Sequence, residues 1–214
     1  MRIAAVMLLS LPAAHAAAQE SLETKLVVTQ EGRETGREEF TLRQGRGRGA
    51  SGSTLIAVAR SPAINPRLKL EATLERTPEF ALAKFQLDVE GPNGTTVILA
   101  AGSGARLIVR TVAKGSEAGR ELPGGPDVVL LDEDVYSLYT AVADIATPAG
   151  KPLTGVFPRT SRRASFVARR EGGEGATRVT LSGDINGTLV TDPAGRLRRL
   201  EFPGSGILVT RAQD

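Results

Sequence analysis

Residues 83–101 read AKFQLDVEGPNGTTVILAA, and this stretch decides how the rest of the chain is interpreted. Ala83, Phe85, Leu87 and Val89 alternate with Lys84, Gln86, Asp88 and Glu90. A period of two is what a strand with one buried face requires, because successive side chains point to opposite sides of a sheet. Gly91-Pro92-Asn93-Gly94 then turns the chain before the apolar run at 97–101. Asn-Gly between two apolar runs marks a hairpin, since those residues accept the backbone angles of tight turns.

The same pattern extends in both directions. Leu68, Leu70, Ala72 and Leu74 interleave with charged and polar neighbours. Asn186-Gly187 and Asp192-Pro193-Ala194-Gly195 punctuate segments 178–184, 188–191 and 196–202. Segments 25–29, 38–43, 54–60, 106–112, 153–157, 165–169 and 207–210 also read as strands. About a dozen short strands predict a mostly β protein, a curled antiparallel sheet or open barrel. One segment departs from the rule. Val135, Leu138, Tyr139, Val142, Ile145 and Ala146 are spaced by three, four and seven, which predicts one amphipathic helix at about 133–147. Asp132, Glu133 and Asp134 stand where an N-cap and the helix dipole favour acidic groups, and Pro148 and Gly150 end the segment. Residues 44–53 (QGRGRGASGS) and the Gly- and Pro-rich stretch 113–126 read as long mobile loops. No low-complexity linker divides the chain, so residues 19–214 are expected to form a single β-rich domain.

Residues 1–18 read as a secretory signal peptide: Met1-Arg2, an apolar run at 3–11, Pro12, and small residues for cleavage. The expectation is an exported bacterial protein, periplasmic or extracellular, with no transmembrane anchor, because no later stretch approaches ~20 apolar residues. The leader also holds Met1, Met7 and His15, which are all the Met and His of a chain that has no Cys and no Trp. A mature chain without them excludes Ser-His-Asp and Cys-His nucleophiles, Cys/His zinc sites, haem ligation by His or Met, and disulfides. No cofactor is expected. The near-balance of 27 basic and 24 acidic residues argues against a nucleic-acid binder.

What remains is a short list of chemistries. Asp127, Asp132, Glu133 and Asp134 could hold Ca²⁺ or Mg²⁺ or act as general acid and base, although helix capping accounts for the last three. A glycosidase needs only two carboxylates, but six Phe, two Tyr and no Trp leave few sugar platforms, and Tyr136 and Tyr139 read as packing on the sheet. No S-x-x-K or G-x-S-x-G motif supports a serine nucleophile. Gly45-Arg46-Gly47-Arg48-Gly49 lacks the G-K-[ST] ending of a phosphate loop and reads as a hairpin connection.

Segments 97–101 and 107–109 are apolar at both parities, as in strands covered on both sides or facing a ligand on one. The leading expectation is a non-catalytic protein that binds a hydrophobic, lipid-like ligand in the concave face of the sheet, with the helix as a lid. Leu82, Phe85, Leu87, Ile98, Leu99, Leu107, Val109, Leu138 and Val142 are its candidate lining. The first alternative is an interaction module that docks on an envelope protein through a sheet edge or the Arg-rich C-terminal third. Residues 151–214 carry 11 basic and 6 acidic side chains, and Arg162, Arg163, Arg198 and Arg199 are the candidate contacts. The second alternative is a carboxylate-dependent enzyme or divalent-metal binder.

Gly32-Arg33-Glu34-Thr35-Gly36-Arg37-Glu38-Glu39-Phe40 has the form G-x-x-x-G-x-E-x-F, and Leu131-Asp132-Glu133-Asp134 precedes the helix. With the strand-rich C-terminus, these resemble a group of uncharacterised exported bacterial β-rich proteins, and similar β regions precede secreted serine-peptidase domains. The curled sheet with one helix is also similar to periplasmic lipoprotein-carrier and lipid-binding proteins, which implies a carrier-like fold by analogy. No catalytic residue carries over.

Overall fold

A computed structural model of the chain describes residues 23–45, 52–61, 65–92, 94–172 and 175–212. The signal-peptide segment and the arginines of the 45–49 motif lie outside the described residues. Within them, alternation has done what the sequence predicts. Eight strands follow one another as an antiparallel meander: β1 (Thr24–Gln30), β2 (Arg33–Gln44), β3 (Ser53–Arg60), β4 (Lys69–Arg76), β5 (Leu82–Gly91), β6 (Gly94–Ser103), β7 (Arg106–Ala113) and β8 (Ser116–Pro123). After β9 (Val128–Leu130) comes a second meander: β10 (Lys151–Phe157), β11 (Arg162–Glu171), β12 (Thr177–Gly183), β13 (Gly187–Thr191), β14 (Leu197–Phe202) and β15 (Ile207–Arg211). β15 returns to pair antiparallel with β1, Val28 opposite Val209, so the first and last strands lie side by side in the middle. The result is one 15-stranded sheet with β8 and β9 at its two edges.

That order forces the sheet to curl. β8 and β9 are consecutive in the chain, and residues 124–127 alone join them. Such a connection spans at most about 18 Å, whereas a flat sheet of this many strands would be roughly 67 Å across. The two edges must therefore approach each other. No ladder joins them, so the sheet is curled but not closed. The β8 edge is held instead to the β10–β11 connection: Arg120 donates to the Pro158 carbonyl at 2.8 Å and to the Ser161 hydroxyl.

β9 pairs parallel with β10, and parallel neighbours need a crossover. The crossover is the helical segment. It consists of a 3-10 turn, Tyr136–Tyr139, running into α1 (Thr140–Ile145). This is shorter than the expected 133–147. It lies inside the concavity, with Tyr136–Ala143 all buried, against β2, β11, β12, β13 and β14. Inward-facing alanines on the sheet, Ala57, Ala59, Ala72, Ala164 and Ala168, leave it room. Gly155 does the same on β10, where a Cβ would sit 3.0 Å from Leu131 Cδ1.

The stretch 113–126 is not a loop. Ser116–Pro123 forms β8, whose register runs from Ala113 opposite Ser116 to Arg106 opposite Pro123. Its side chains are mostly exposed, so the strand is ordered by the β7 ladder rather than by burial.

A plug surrounded by a sheet buries charged groups, and Asp144, Arg76 and Arg170 find partners there, although Arg76 Nη1, Arg170 Nε and the Ser137 hydroxyl have none among the described residues. Asp144 on α1 meets Arg76 on β4 at 2.5 Å, with the Arg76 side chain 5% exposed. Arg170 on β11 donates to the Ala143 carbonyl at 2.5 Å and the Asp144 carbonyl at 3.2 Å. These carbonyls lie at the C-terminal end, which a helix leaves unbonded and where a cation is favoured. Asp144→Ala would strand the Arg76 guanidinium in the core. Stability from urea unfolding is expected to fall by about 3 kcal/mol or more, and the double variant Arg76→Met, Asp144→Leu should recover most of it. A loss below about 1 kcal/mol for Asp144→Ala would show that the pair does not hold the plug.

Candidate functional site

The concave face divides around the plug. On β5, β6 and β7, Phe85 and Leu87 are fully buried and fill the middle of the floor. Hollows remain at both ends of these strands. One, about 290 Å³, is bordered by Leu82, Gly102, Leu107, Val128 and residues 124–126. The other, about 490 Å³, lies at the seam where the sheet edges meet. Val89, Ile98 and Val109 form its apolar floor, Thr96, Thr111 and Ala118 its sides, and Arg120, Pro158, Arg159 and Ser161 its rim. Both volumes approach or fall within the range of small-molecule sites.

The expected lining residues thus separate. Ile98 and Val109 reach the seam hollow, and Leu82 and Leu107 the smaller one. Leu138 and Val142 are fully buried in the plug, which is packed into the core rather than laid over it as a lid. Leu99 has the opposite parity to Ile98. It stands on the convex face, half-buried, in the row that joins Gln86 and Arg110.

The four candidate arginines do not form one patch. The ladder row of Arg199 runs through Val190 and Arg178 to Glu171, nine residues along β11 from Arg162. Arg199 pairs with Glu201 at 2.8 Å. Arg162 pairs with Glu133 at 3.2 Å and its guanidinium lies 3.6 Å from the centre of the Phe157 ring. Arg163 and Arg198 are exposed and have no ion-pair partner among the described residues.

The acidic run before the helix does not cap it. Asp132 is buried and takes two hydrogen bonds from Arg159, at 2.9 and 2.8 Å, while Asp134 takes a third at 2.6 Å. Burial works against the Arg159 cation, but these two carboxylates outweigh it and hold its pKa above the ordinary value. The arginine is thus fixed at the seam rim with its charge largely matched. Among the described residues, no group of three or more His, Cys, Asp or Glu is placed to hold a metal ion.

The cap comes from the far side of the sheet. Glu38 on β2 accepts the Tyr136 N–H at 2.7 Å and the Ser137 N–H at 3.1 Å. It is 1% exposed. Desolvation dominates, and although both N–H groups favour the charged form, the carboxyl is pushed up to about 7. Parity alone could have found it: Gly36, Glu38 and Phe40 share the inward face of β2. Comparison of the chain with family models, curated proteins and solved structures finds no match.

Because the folded-state pKa of Glu38 lies above its unfolded value, the native state holds more protons between about pH 4.5 and 7. Stability should therefore be greatest below this window and decline as pH rises through 7, by at most about 3 kcal/mol. Denaturant midpoints measured from pH 5 to 8 should fall for the native chain and stay nearly level for Glu38→Gln. A native profile as flat as the variant's would contradict the assignment.

Proposed function

We propose that the protein is a non-catalytic, exported envelope protein that holds a lipid-like ligand in the concave face of its sheet. The observation that carries this reading is the seam hollow. It combines an apolar floor, Val89, Ile98 and Val109, with guanidinium groups of Arg120 and Arg159 at the rim. A ligand with an apolar tail and an acidic or polar head matches that division. The tail gains by leaving water, at roughly 25 cal/mol per Å² of apolar area. The head meets Arg120, whose hydrogen bonds to Pro158 and Ser161 hold the seam together and could be exchanged for bonds to the ligand. The open sheet suits such cargo, because entry at the seam breaks no ladder. The leader-like segment at 1–18 supports a location outside the cytoplasm.

Two measurements test the reading. Mass spectrometry of organic extracts should find lipid co-purifying with protein isolated from its native envelope. A fluorescent fatty acid should bind the purified chain and bind at least about tenfold more weakly to Ala118→Trp, which fills the hollow from the exposed strand β8. Equal binding by the variant, or no binding by the native chain, would overturn the proposal.

A further inference from the structure

Tyr136 and Tyr139, the two tyrosines of the chain, both border another cavity, about 380 Å³, near the β10–β11 and β14–β15 connections. Phe157 and Phe202 supply its other aromatic walls. The Tyr139 ring meets Phe202 edge-on at 5.3 Å. The two tyrosines are 6% and 4% exposed. Even so, neither hydroxyl has a hydrogen-bond partner among the described residues, and neither is sealed from solvent. Burial pushes both phenols up, so they remain protonated and able to donate as well as accept.

The surrounding groups discriminate between ligand classes. A purely apolar ligand would displace water from two phenol hydroxyls and leave both without a partner, which is unfavourable. A quaternary ammonium needs a vacant aromatic face beside uncommitted carboxylates. Here the Arg162 guanidinium already covers Phe157, Glu133 and Asp132 are neutralised by Arg162 and Arg159, and the remaining lining carboxylate, Asp184, is exposed and already accepts the Ser165 N–H. An anion would face the Asp184 carboxylate, while the one lining guanidinium, Arg162, is already matched by Glu133. A neutral hydroxylated ring meets none of these objections. Its C–H faces can lie against the Tyr136, Tyr139 and Phe202 rings. Its hydroxyls find mixed donors and acceptors: the two phenols, the Arg162 guanidinium, and Asp184, whose Oδ2 is used by the Ser165 N–H.

We propose that this cavity is a sugar-binding site for a single neutral sugar ring, distinct from the seam hollow in its lining residues and in its ligand. Tyr136 and Tyr139 are its hydrogen-bonding specificity residues. A site built to bond hydroxyl groups rejects ligands that lack them, because its own polar groups are then left unpaired.

Intrinsic fluorescence reads this cavity alone, since the chain has no Trp and both tyrosines line it. Glucose, galactose, mannose and N-acetylglucosamine are titrated into the full chain at millimolar concentration, with choline and acetate as controls. At least one sugar should change the tyrosine emission saturably, and neither control should. Tyr136→Phe and Tyr139→Phe remove only a hydroxyl each, and at least one should weaken that sugar about tenfold or more while the far-ultraviolet dichroism stays native. The fluorescent fatty acid at the seam should bind both variants unchanged. Silence towards all four sugars, a response to choline or acetate instead, or affinity unaltered in both variants would overturn the proposal.

Discussion

Two backbone N–H groups at the start of the helical segment have no partner within it, and the Glu38 carboxylate meets both. The rest of the interior depends on this contact. Without it, the crossover between β9 and β10 would carry unbonded donors into a dry space, which costs more than the few residues of helix can supply. With it, the 3-10 turn is fixed to β2 at one end, while Arg170 and the Arg76–Asp144 pair fix α1 to β11 and β4 at the other. A helical segment too short to be stable alone becomes part of the core because the sheet provides its caps. Burial of Glu38 is the cost of that arrangement, visible in a carboxyl that titrates near neutrality.

The second constraint is the four-residue connection from β8 to β9. It brings the edges of a 15-stranded sheet together without letting them pair, so the interior is enclosed along most of its circumference and hydrogen-bonded side chain to backbone at the seam. Curl and plug together decide where space is left. The floor between the two ends of β5 to β7 is filled by Phe85 and Leu87. Hollows persist beyond the plug and beside it, each with its own character: apolar with an arginine rim at the seam, aromatic with phenol hydroxyls where the plug's own Tyr136 and Tyr139 form the wall.

Much of this was legible in the sequence wherever a single face decided the pattern. Alternation located β4 and β5, and Asn186-Gly187 and Asp192-Pro193-Ala194-Gly195 located the turns around β13. Spacing of three, four and seven located the helix. β8 was missed because Ser116–Pro123 is exposed and borrows its order from β7, which no local pattern records. β9 is three residues long and pairs in parallel. The helix starts later than its acidic flank suggests because Asp132 and Asp134 are taken by Arg159, distant in sequence. The inward charges were readable in principle. Glu38 shares its parity with Phe40, and Arg76 with Leu74, so both stand on faces that the apolar residues assign to the core. The pairing of β1 with β15, and hence the cavities it encloses, is a tertiary fact with no local signal.

The central claim is that the helix is a fixed plug of the core and not a lid that opens over the concavity. Native-state hydrogen exchange of the Tyr136 and Ser137 amides tests it most directly, because those N–H groups are bonded only if Glu38 holds them. The account predicts protection equal to that of the central strands β1 and β15, with exchange through global unfolding. Exchange of these two amides through a local opening, orders of magnitude faster than the sheet, would contradict it.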